Sequence, residues 1–315
     1  MDPSATSSLA IGKPAASVKN LFNRWSNYKM HHREPVMAWS ILIPVMVYYF
    51  VFAIVPVIAN ILVSFTHWNG ITSPEWVGFE NFSRYFTDPL YQQIFINTAI
   101  FAVSTLLLQI PIGLVIAILL NQKVRGMGFY RAMWYVPTVT SAAIMAQLVA
   151  LFISPYGGVV NTILAAMGFP AIIWTINAPA LRAVIIAFSV WRGVGGTMIL
   201  YLAALQAIPN ELYEAAMVDG AGPLARFWYL TVPMVRHMTA FVVVTGIIGA
   251  FQIFEPILLI SKGGPFNLTN SIINQIYNDA FKNGDFGLAT ASSTILALFL
   301  LGASIISLRT MRQGE

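Results

Sequence analysis

The sequence of 315 residues contains no cysteine, which excludes disulfide bridges and thiol chemistry. Charge is also scarce, because only 9% of the residues are Asp, Glu, Lys or Arg, whereas soluble domains carry about 25%. Hydrophobic residues make up 57%, and the mean hydropathy is +0.72. This composition predicts an all-α membrane protein. The net charge of +5 comes from few, scattered residues, so we expect no nucleic-acid partner.

Several kinds of catalytic signature are missing as well. The chain has no GxxxxGK[ST] segment and therefore no phosphate-binding loop of its own. His31 and His32 lie in a basic tail, and His67 and His237 flank apolar runs, so no histidine is spaced for metal binding. We expect no catalytic residue, no metal site and no cofactor in this chain, and any ATP hydrolysis requires a partner.

Long uncharged runs are what the sequence has in abundance. A helix needs about 20 apolar residues to cross a bilayer. The segment 155–181 is also uncharged, but Gly157, Gly158, Pro170 and Pro179 interrupt it, which predicts a short interfacial helix instead of a crossing. Six transmembrane helices are predicted, at 36–66, 94–120, 132–154, 183–207, 238–260 and 286–308.

The distribution of Lys and Arg orients these spans, because cytoplasmic loops carry an excess of both. With the N-terminus inside, the outer segments hold only four of the 17 basic residues, and Arg192 lies within a span. The other twelve are inside: Lys13, Lys19, Arg24, Lys29, Arg33, Lys123, Arg125, Arg131, Arg226, Arg236, Arg309 and Arg312. We expect a multi-pass cell-membrane protein with both termini in the cytoplasm. Its parts are a basic tail at 1–35, a six-span domain at 36–308 and a tail at 309–315.

The loop before the fifth span has an unusual polar composition. Asn210 is a suitable N-cap for a helix, and Glu211 suits the positive end of the helix dipole. Gly220 is placed to end that helix, and Pro223 to open another. By itself this pattern indicates either an ordinary surface helix or a smooth surface against which a second protein packs.

The order of residues in this loop resembles a known motif. Glu214-Ala215-Ala216, Gly220, Leu230 and Val232-Pro233 are similar in spacing to the EAA loop of ABC-importer permeases. In that family the loop is a coupling helix that docks on the ATPase subunit. The resemblance implies coupling at about 210–222, through Glu214, Ala215, Ala216, Asp219 and Gly220.

Other motifs extend the resemblance along the chain. WVGFENF at 76–82, GMGFYR at 126–131, LQAIP at 205–209 and GGP at 263–265 are typical of the carbohydrate-uptake branch. They resemble the core of the larger maltose permease subunit and the glycerol-phosphate and oligosaccharide permeases, without the maltose subunit's large outer domain. The implied fold is the type I ABC importer permease fold. The implied partners are a second permease subunit, an ATPase dimer with ATP and Mg, an extracellular binding protein and the lipid bilayer.

The same resemblance implies where the substrate binds. It places the contacts in the fourth and fifth spans, at Ser189, Arg192, Gly193, Gly196, Gly246, Gly249, Ala250, Gln252, Ile253 and Glu255. Charges inside spans usually face a cavity or a partner. Alternatives stay open: glycines three apart also mediate helix packing, Arg192 and Glu255 neutralise each other if they meet, and Trp191 and Phe251 either stack on a sugar or pack in the core.

The function implied is a permease subunit that imports a sugar or oligosaccharide, driven by ATP hydrolysis on its partners. A polyol or a glycerol-phosphate type of substrate is the alternative within the family. A secondary transporter would need coupling carboxylates within its spans, where only Glu255 is found. A membrane glycosyltransferase would need paired carboxylates or a large catalytic loop, and the sequence has neither.

Overall fold

A computed structural model describes residues 38–122 and 125–312. The predicted basic tail at 1–35, Lys123 and residues 313–315 lie outside the described residues. The chain divides into two compact units, residues 1–59 and 60–315.

The described elements are almost all helical. A two-residue antiparallel ladder pairs β1 (Thr66–His67) with β2 (Glu75–Trp76). The helices are α1 (Ala38–Val63), α2 (Glu80–Thr87), α3 (Pro89–Leu120), α4 (Met127–Val139), α5 (Ala142–Phe152), α6 (Val159–Ala166), α7 (Ala178–Gln206), α8 (Asn210–Val218), α9 (Pro223–Met234), α10 (Arg236–Phe251), α11 (Ile272–Tyr277) and α12 (Phe286–Arg312).

Four of these helices, α1, α3, α7 and α12, are each long and apolar enough to cross a bilayer. Two bent pairs bring the number of spans to six: α4 with α5, bent by 89°, and α9 with α10, bent by 65°. The short helix expected between the third and fourth spans is α6, and a 3-10 turn at Trp174–Ile176 follows it.

The third and fifth spans are not the continuous helices that the sequence predicts. The third breaks at Thr140 and Ser141, which adopt extended backbone angles between α4 and α5. The fifth ends at Phe251, nine residues before the predicted end at 260, and resumes as a π-helical turn at Ile257–Ser261. Pro256 explains the second break, because it has no N–H to donate to the carbonyl of Gln252 in a continuing helix.

The core of residues 60–315 is built on α3 and α7, which pack along each other. Gly113 makes this contact close, since a Cβ there would lie 2.6 Å from the Thr197 methyl group. One apolar cluster joins α3 and α7 to α10 through Tyr201, whose hydroxyl donates to Thr239. A second cluster joins α3, α11 and α12 around Phe251.

The WVGFENF motif stabilises the fold through the side chain of Asn81. Asn81 is buried, and its amide donates to the carbonyl oxygens of Ser64 at 3.0 Å and Thr66 at 2.9 Å. These carbonyls follow the end of α1 and have no helical partner, so Asn81 supplies their missing hydrogen bonds. Arg131 of the GMGFYR motif does the same for Leu120 at the end of α3.

Three interior amides join helices. Asn60 bonds the α12 residues Thr290, Ser293 and Thr294. Asn97 accepts from Arg182 and donates to the carbonyl of Asn267, and Gln109 donates to Thr197. The amide of Gln147 in α5 differs from these three, because it is exposed and makes no hydrogen bond with any described residue.

Candidate functional site

A cavity of about 480 Å³ opens between α3, α4, α7 and α10, next to the break that follows α10. All the residues predicted to bind substrate line it: Ser189, Arg192, Gly193, Gly196, Gly246, Gly249, Ala250, Gln252, Ile253 and Glu255. The structure therefore brings together two stretches of the chain, 189–196 and 246–255, whose nearest residues are 50 positions apart in the sequence.

The break after α10 shapes one wall of this cavity. Two of its carbonyl groups are satisfied, because the Ser271 hydroxyl donates to Ile253 at 2.8 Å and the Leu258 amide donates to Phe254 at 2.9 Å. Non-helical backbone at membrane depth is tolerated where it is buried in protein or lines a cavity. The break lets Gln252, Ile253 and Glu255 reach the cavity together.

The two glycine pairs divide between packing and cavity. A Cβ on Gly193 would meet the Gln109 amide at 2.4 Å, and one on Gly246 would meet the Leu106 methyl group at 2.5 Å. A Cβ on Gly196 would make ordinary contact with Thr138 at 3.6 Å, and Gly249 has open space. Both sequence interpretations thus hold in part, since one glycine of each pair allows close helix packing and the other leaves room.

Arg192 and Glu255 both line the cavity, and both are half-buried. They form no ion pair with each other, because the only ion pair among residues 38–122 and 125–312 joins Arg84 to Asp285 at 3.4 Å. The Nε atom of Arg192 is buried and has no hydrogen-bond partner within the described chain. Mutual neutralisation by direct contact is therefore wrong for this structure, and both groups remain available to a ligand.

The aromatic assignments differ from those expected. Neither Trp191 nor Phe251 lines the cavity: Trp191 is 42% exposed elsewhere, and Phe251 packs on Phe299 with ring centroids 4.8 Å apart. Phe188, one turn before Trp191, is the aromatic residue in the cavity wall. Core packing is thus the correct interpretation for Phe251.

Sequence reasoning missed the polar residues that α3 and α4 contribute. Thr105 and Gln109 of α3 lie one turn apart and line the cavity, as does Thr138 of α4. The spacing of Thr105 and Gln109 in an otherwise apolar run was a usable signal. No sequence signal indicated Thr138. It reaches α7 only because α4 and α7 approach closely at Gly195, where a Cβ would lie 2.3 Å from the Trp134 carbonyl. Its hydroxyl donates to the Arg192 carbonyl at 2.7 Å.

The helix α8 lies at a second candidate site. Its N-cap is Pro209, and Asn210 is the first helical residue, so the helix begins one position earlier than expected. Gly220 has φ +80°, as the sequence predicts for a helix-ending glycine. The Ala221 amide donates to Ala216 at 2.9 Å and the Gly220 amide donates to Met217 at 3.1 Å, which together form a Schellman motif.

The contacts of α8 leave one of its faces free. Tyr213 holds the helix to the bundle through a hydrogen bond of 3.1 Å with the buried Thr231 hydroxyl. Glu214, Ala215, Asp219 and Gly220 are exposed, and Ala216 is half-buried. Glu214 makes neither a hydrogen bond nor a salt bridge with any described residue.

The described residues include no group of three or more His, Cys, Asp or Glu side chains arranged to hold a metal ion.

A helical protein with up to six apolar spans and a polar cavity beside a broken helix belongs to the class of membrane transporters. The match to a family model narrows this class. Residues 109–312 match the family described as binding-protein-dependent transport system inner membrane component, and the chain belongs to this family. It is thus a multi-pass membrane protein and a transport subunit, with the type I ABC importer permease fold.

Relatives and solved structures agree with this assignment. The chain is 30% identical to the multiple sugar-binding transport system permease protein MsmF of Streptococcus mutans, over 88% of this chain and 96% of that protein. It is 32% identical to the sn-glycerol-3-phosphate transport system permease protein UgpA of Yersinia pestis, over 75% and 80%. A solved chain of a bacterial ABC transporter involved in the import of the acidic polysaccharide alginate has TM-score 0.79 and 25% identity, over 92% and 99%.

Proposed function

We propose that this chain is one permease half of an ABC importer for a sugar or oligosaccharide, and that the cavity beside the α10 break is its substrate site. The observation that carries the proposal is the convergence of Ser189, Arg192, Gln252 and Glu255 on one cavity in a transport-family chain. Its volume of about 480 Å³ lies within the range of roughly 300–1,000 Å³ that is usual for small-molecule sites.

The lining supports a polyhydroxylated substrate. Gln109, Thr105, Gln252, Arg192 and Glu255 offer hydrogen-bond donors and acceptors along the cavity. Phe188 supplies an apolar surface for a sugar ring. The similarity to MsmF, whose name refers to multiple sugars, favours this class of substrate.

In the proposed assembly, a second permease subunit completes the translocation path and an extracellular binding protein delivers the sugar. An ATPase dimer binds ATP and Mg and docks on α8 in the cytoplasm, where both chain termini also lie. The exposed Glu214, Ala215, Asp219 and Gly220 and the half-buried Ala216 then form the contact surface. The charge distribution of the loops supports this orientation.

A glycerol-phosphate type of substrate is the second candidate, because the relative UgpA is 32% identical over 75% of this chain. An importer of this type would need cationic groups to hold the phosphate, and Arg192 is the one cationic side chain in the cavity lining.

Uptake by the complete importer tests the proposal. Cells that express the chain with its partner subunits should take up at least one radiolabelled sugar, and Gln252→Ala should lower that uptake while the assembled complex is still purified in normal yield. As a control, Gln147→Ala removes an exposed amide of α5 that lies outside the cavity lining. Normal sugar uptake by the Gln252 variant would contradict the assignment of the site.

A further inference from the structure

The charges in the cavity wall carry an inference that rests on the proposed function and defines the substrate more narrowly. Among the residues that line the cavity, one side chain is cationic, Arg192, and one is anionic, Glu255. They make no ion pair, and neither forms one with any other described residue. The wall therefore presents both charges to whatever occupies the cavity, with no net charge in total.

We propose that Arg192 and Glu255 make this cavity selective for uncharged polyhydroxylated solutes, and that Glu255 is the residue that discriminates against anionic ones. An uncharged sugar leaves the occupied cavity with no net charge. A phosphate ester or a uronate would add a negative charge that nothing in this wall balances, and an unbalanced charge is costly in a low-dielectric environment.

Hydrogen bonding points to the same class of solute. A guanidinium only donates and a carboxylate only accepts, whereas a hydroxyl group does both. A diol can accept from the Arg192 guanidinium and at the same time donate to Glu255, since both residues line the cavity. Phosphate and carboxylate oxygens only accept, so an anionic group placed between the two side chains satisfies Arg192 and leaves Glu255 facing another acceptor, whereas a hydroxyl in the same place can serve both.

Because the chain has no cysteine, a single introduced thiol can serve as a probe of the charge in the cavity. Gly249→Cys places a thiol in open space in the cavity wall. The intact importer carrying this variant is treated with an anionic, a cationic and an uncharged methanethiosulfonate reagent. Mass spectrometry of this chain gives each rate, which is then divided by the rate with a free thiol in solution.

With both charges present, we expect the normalised anionic and cationic rates to be similar. Adding Glu255→Gln should raise the anionic rate relative to the cationic rate by at least tenfold, because a unit charge within about 10 Å, at an effective dielectric near 20, acts on the two reagents with opposite sign. Adding Arg192→Gln should lower this ratio by about the same factor, and the double variant should restore it. Glu80→Gln, which removes an exposed carboxylate outside the cavity lining, should leave it unchanged. If neither Glu255→Gln nor Arg192→Gln changed the ratio of the anionic to the cationic rate, the proposal would be overturned.

Uptake by the unmodified importer gives the second test, with glucose against glucuronate and glycerol against sn-glycerol 3-phosphate as matched probes. The uncharged member of a pair should be taken up faster, and Glu255→Gln should reduce that preference. Faster uptake of either anion by the unmodified importer would overturn the inference. If neither these probes nor any tested oligosaccharide is taken up, the sugar-import function fails, while the labelling rates still decide whether the cavity is charge-balanced.

Discussion

At the scale of single residues, the environment of a side chain decides more than its identity. Gly249, Gly246 and Gly195 all lie in spans, yet an added Cβ would meet open space at the first, the end of a flexible side chain at the second and a backbone carbonyl at the third. The same substitution therefore tests the site at one position and the fold at another.

We expect Gly249→Leu to block uptake without harming the fold, because the new side chain fills open cavity space. Gly249→Ala should have a small effect on uptake. Gly195→Ala should destabilise the protein by about 1–3 kcal/mol, since its Cβ would lie 2.3 Å from the Trp134 carbonyl. Measuring the yield and thermal unfolding of the purified complex together with uptake distinguishes a blocked cavity from a destabilised fold. Loss of folded complex in the Gly249→Leu variant would contradict the assignment of open space.

Tyr85 of α2 offers a pH test outside the spans. Its hydroxyl is buried without a hydrogen-bond partner among the described residues, and burial raises the pKa of Tyr85 from 10.0 to about 12. Folding therefore favours the protonated phenol. The resulting stability is present below pH about 10 and is lost as the pH rises towards about 12.

Tyr85→Phe should remove this alkaline loss. At neutral pH it should also stabilise the protein, by about 1 kcal/mol, because a buried hydroxyl without a partner is costly. Thermal unfolding at pH 7 and pH 11 measures both effects, and Tyr156→Phe, at a residue that is 94% exposed, is the matched control. Equal alkaline sensitivity of the Tyr85 variant and the native protein would rule out this account.

At the scale of elements, the end of α8 depends on backbone conformation. Gly220 has φ +80° and closes the Schellman motif, whereas Gly222 has φ −68°, which any residue adopts. Neither position has a neighbouring atom within 4 Å of an added Cβ. The two glycines therefore differ in backbone strain alone, which makes them a matched pair.

We expect Gly220→Val to disturb the end of α8, because a β-branched residue is strained at positive φ. If α8 docks on the ATPase, this variant should insert in the membrane normally, yet lose uptake and retain less ATPase on purification. Gly222→Ala should behave like the native chain. ATPase retention at the native level by Gly220→Val would count against the coupling role.

At the scale of the whole molecule, the proposed orientation is open to labelling in a chain without cysteine. Asn81 is a poor labelling site, because it is buried and bonds the carbonyls of Ser64 and Thr66. Ile71, which is 91% exposed, and Tyr156 are better positions on the predicted outer side. Val218, at 88% exposed, serves for the predicted inner side.

Cysteines at Ile71 and Tyr156 should react with an impermeant thiol reagent added to intact cells. A cysteine at Val218 should react only after the cells are permeabilised, because α8 is predicted to face the cytoplasm. Gel-shift labelling of this chain reports both outcomes. Reaction at Val218 in intact cells would reverse the proposed topology.

The sequence by itself determined the class of protein, the six apolar segments and the conformation at Gly220. These features follow from local physical chemistry, since hydropathy, span length and the steric freedom of glycine act within a few residues. Resemblance in the spacing of motifs also pointed to the permease family, which the match over residues 109–312 shows.

Only the tertiary structure decided which side chains meet. The bends after Val139 and Met234, the packing of Phe251 on Phe299 and the place of Thr138 in the cavity all depend on contacts between segments far apart in the chain. The tertiary structure also decided that Arg192 and Glu255 form no ion pair, because the break before Pro256 sets where the carboxylate lies. Hydropathy is a property of segments, whereas a cavity is a property of the way segments pack.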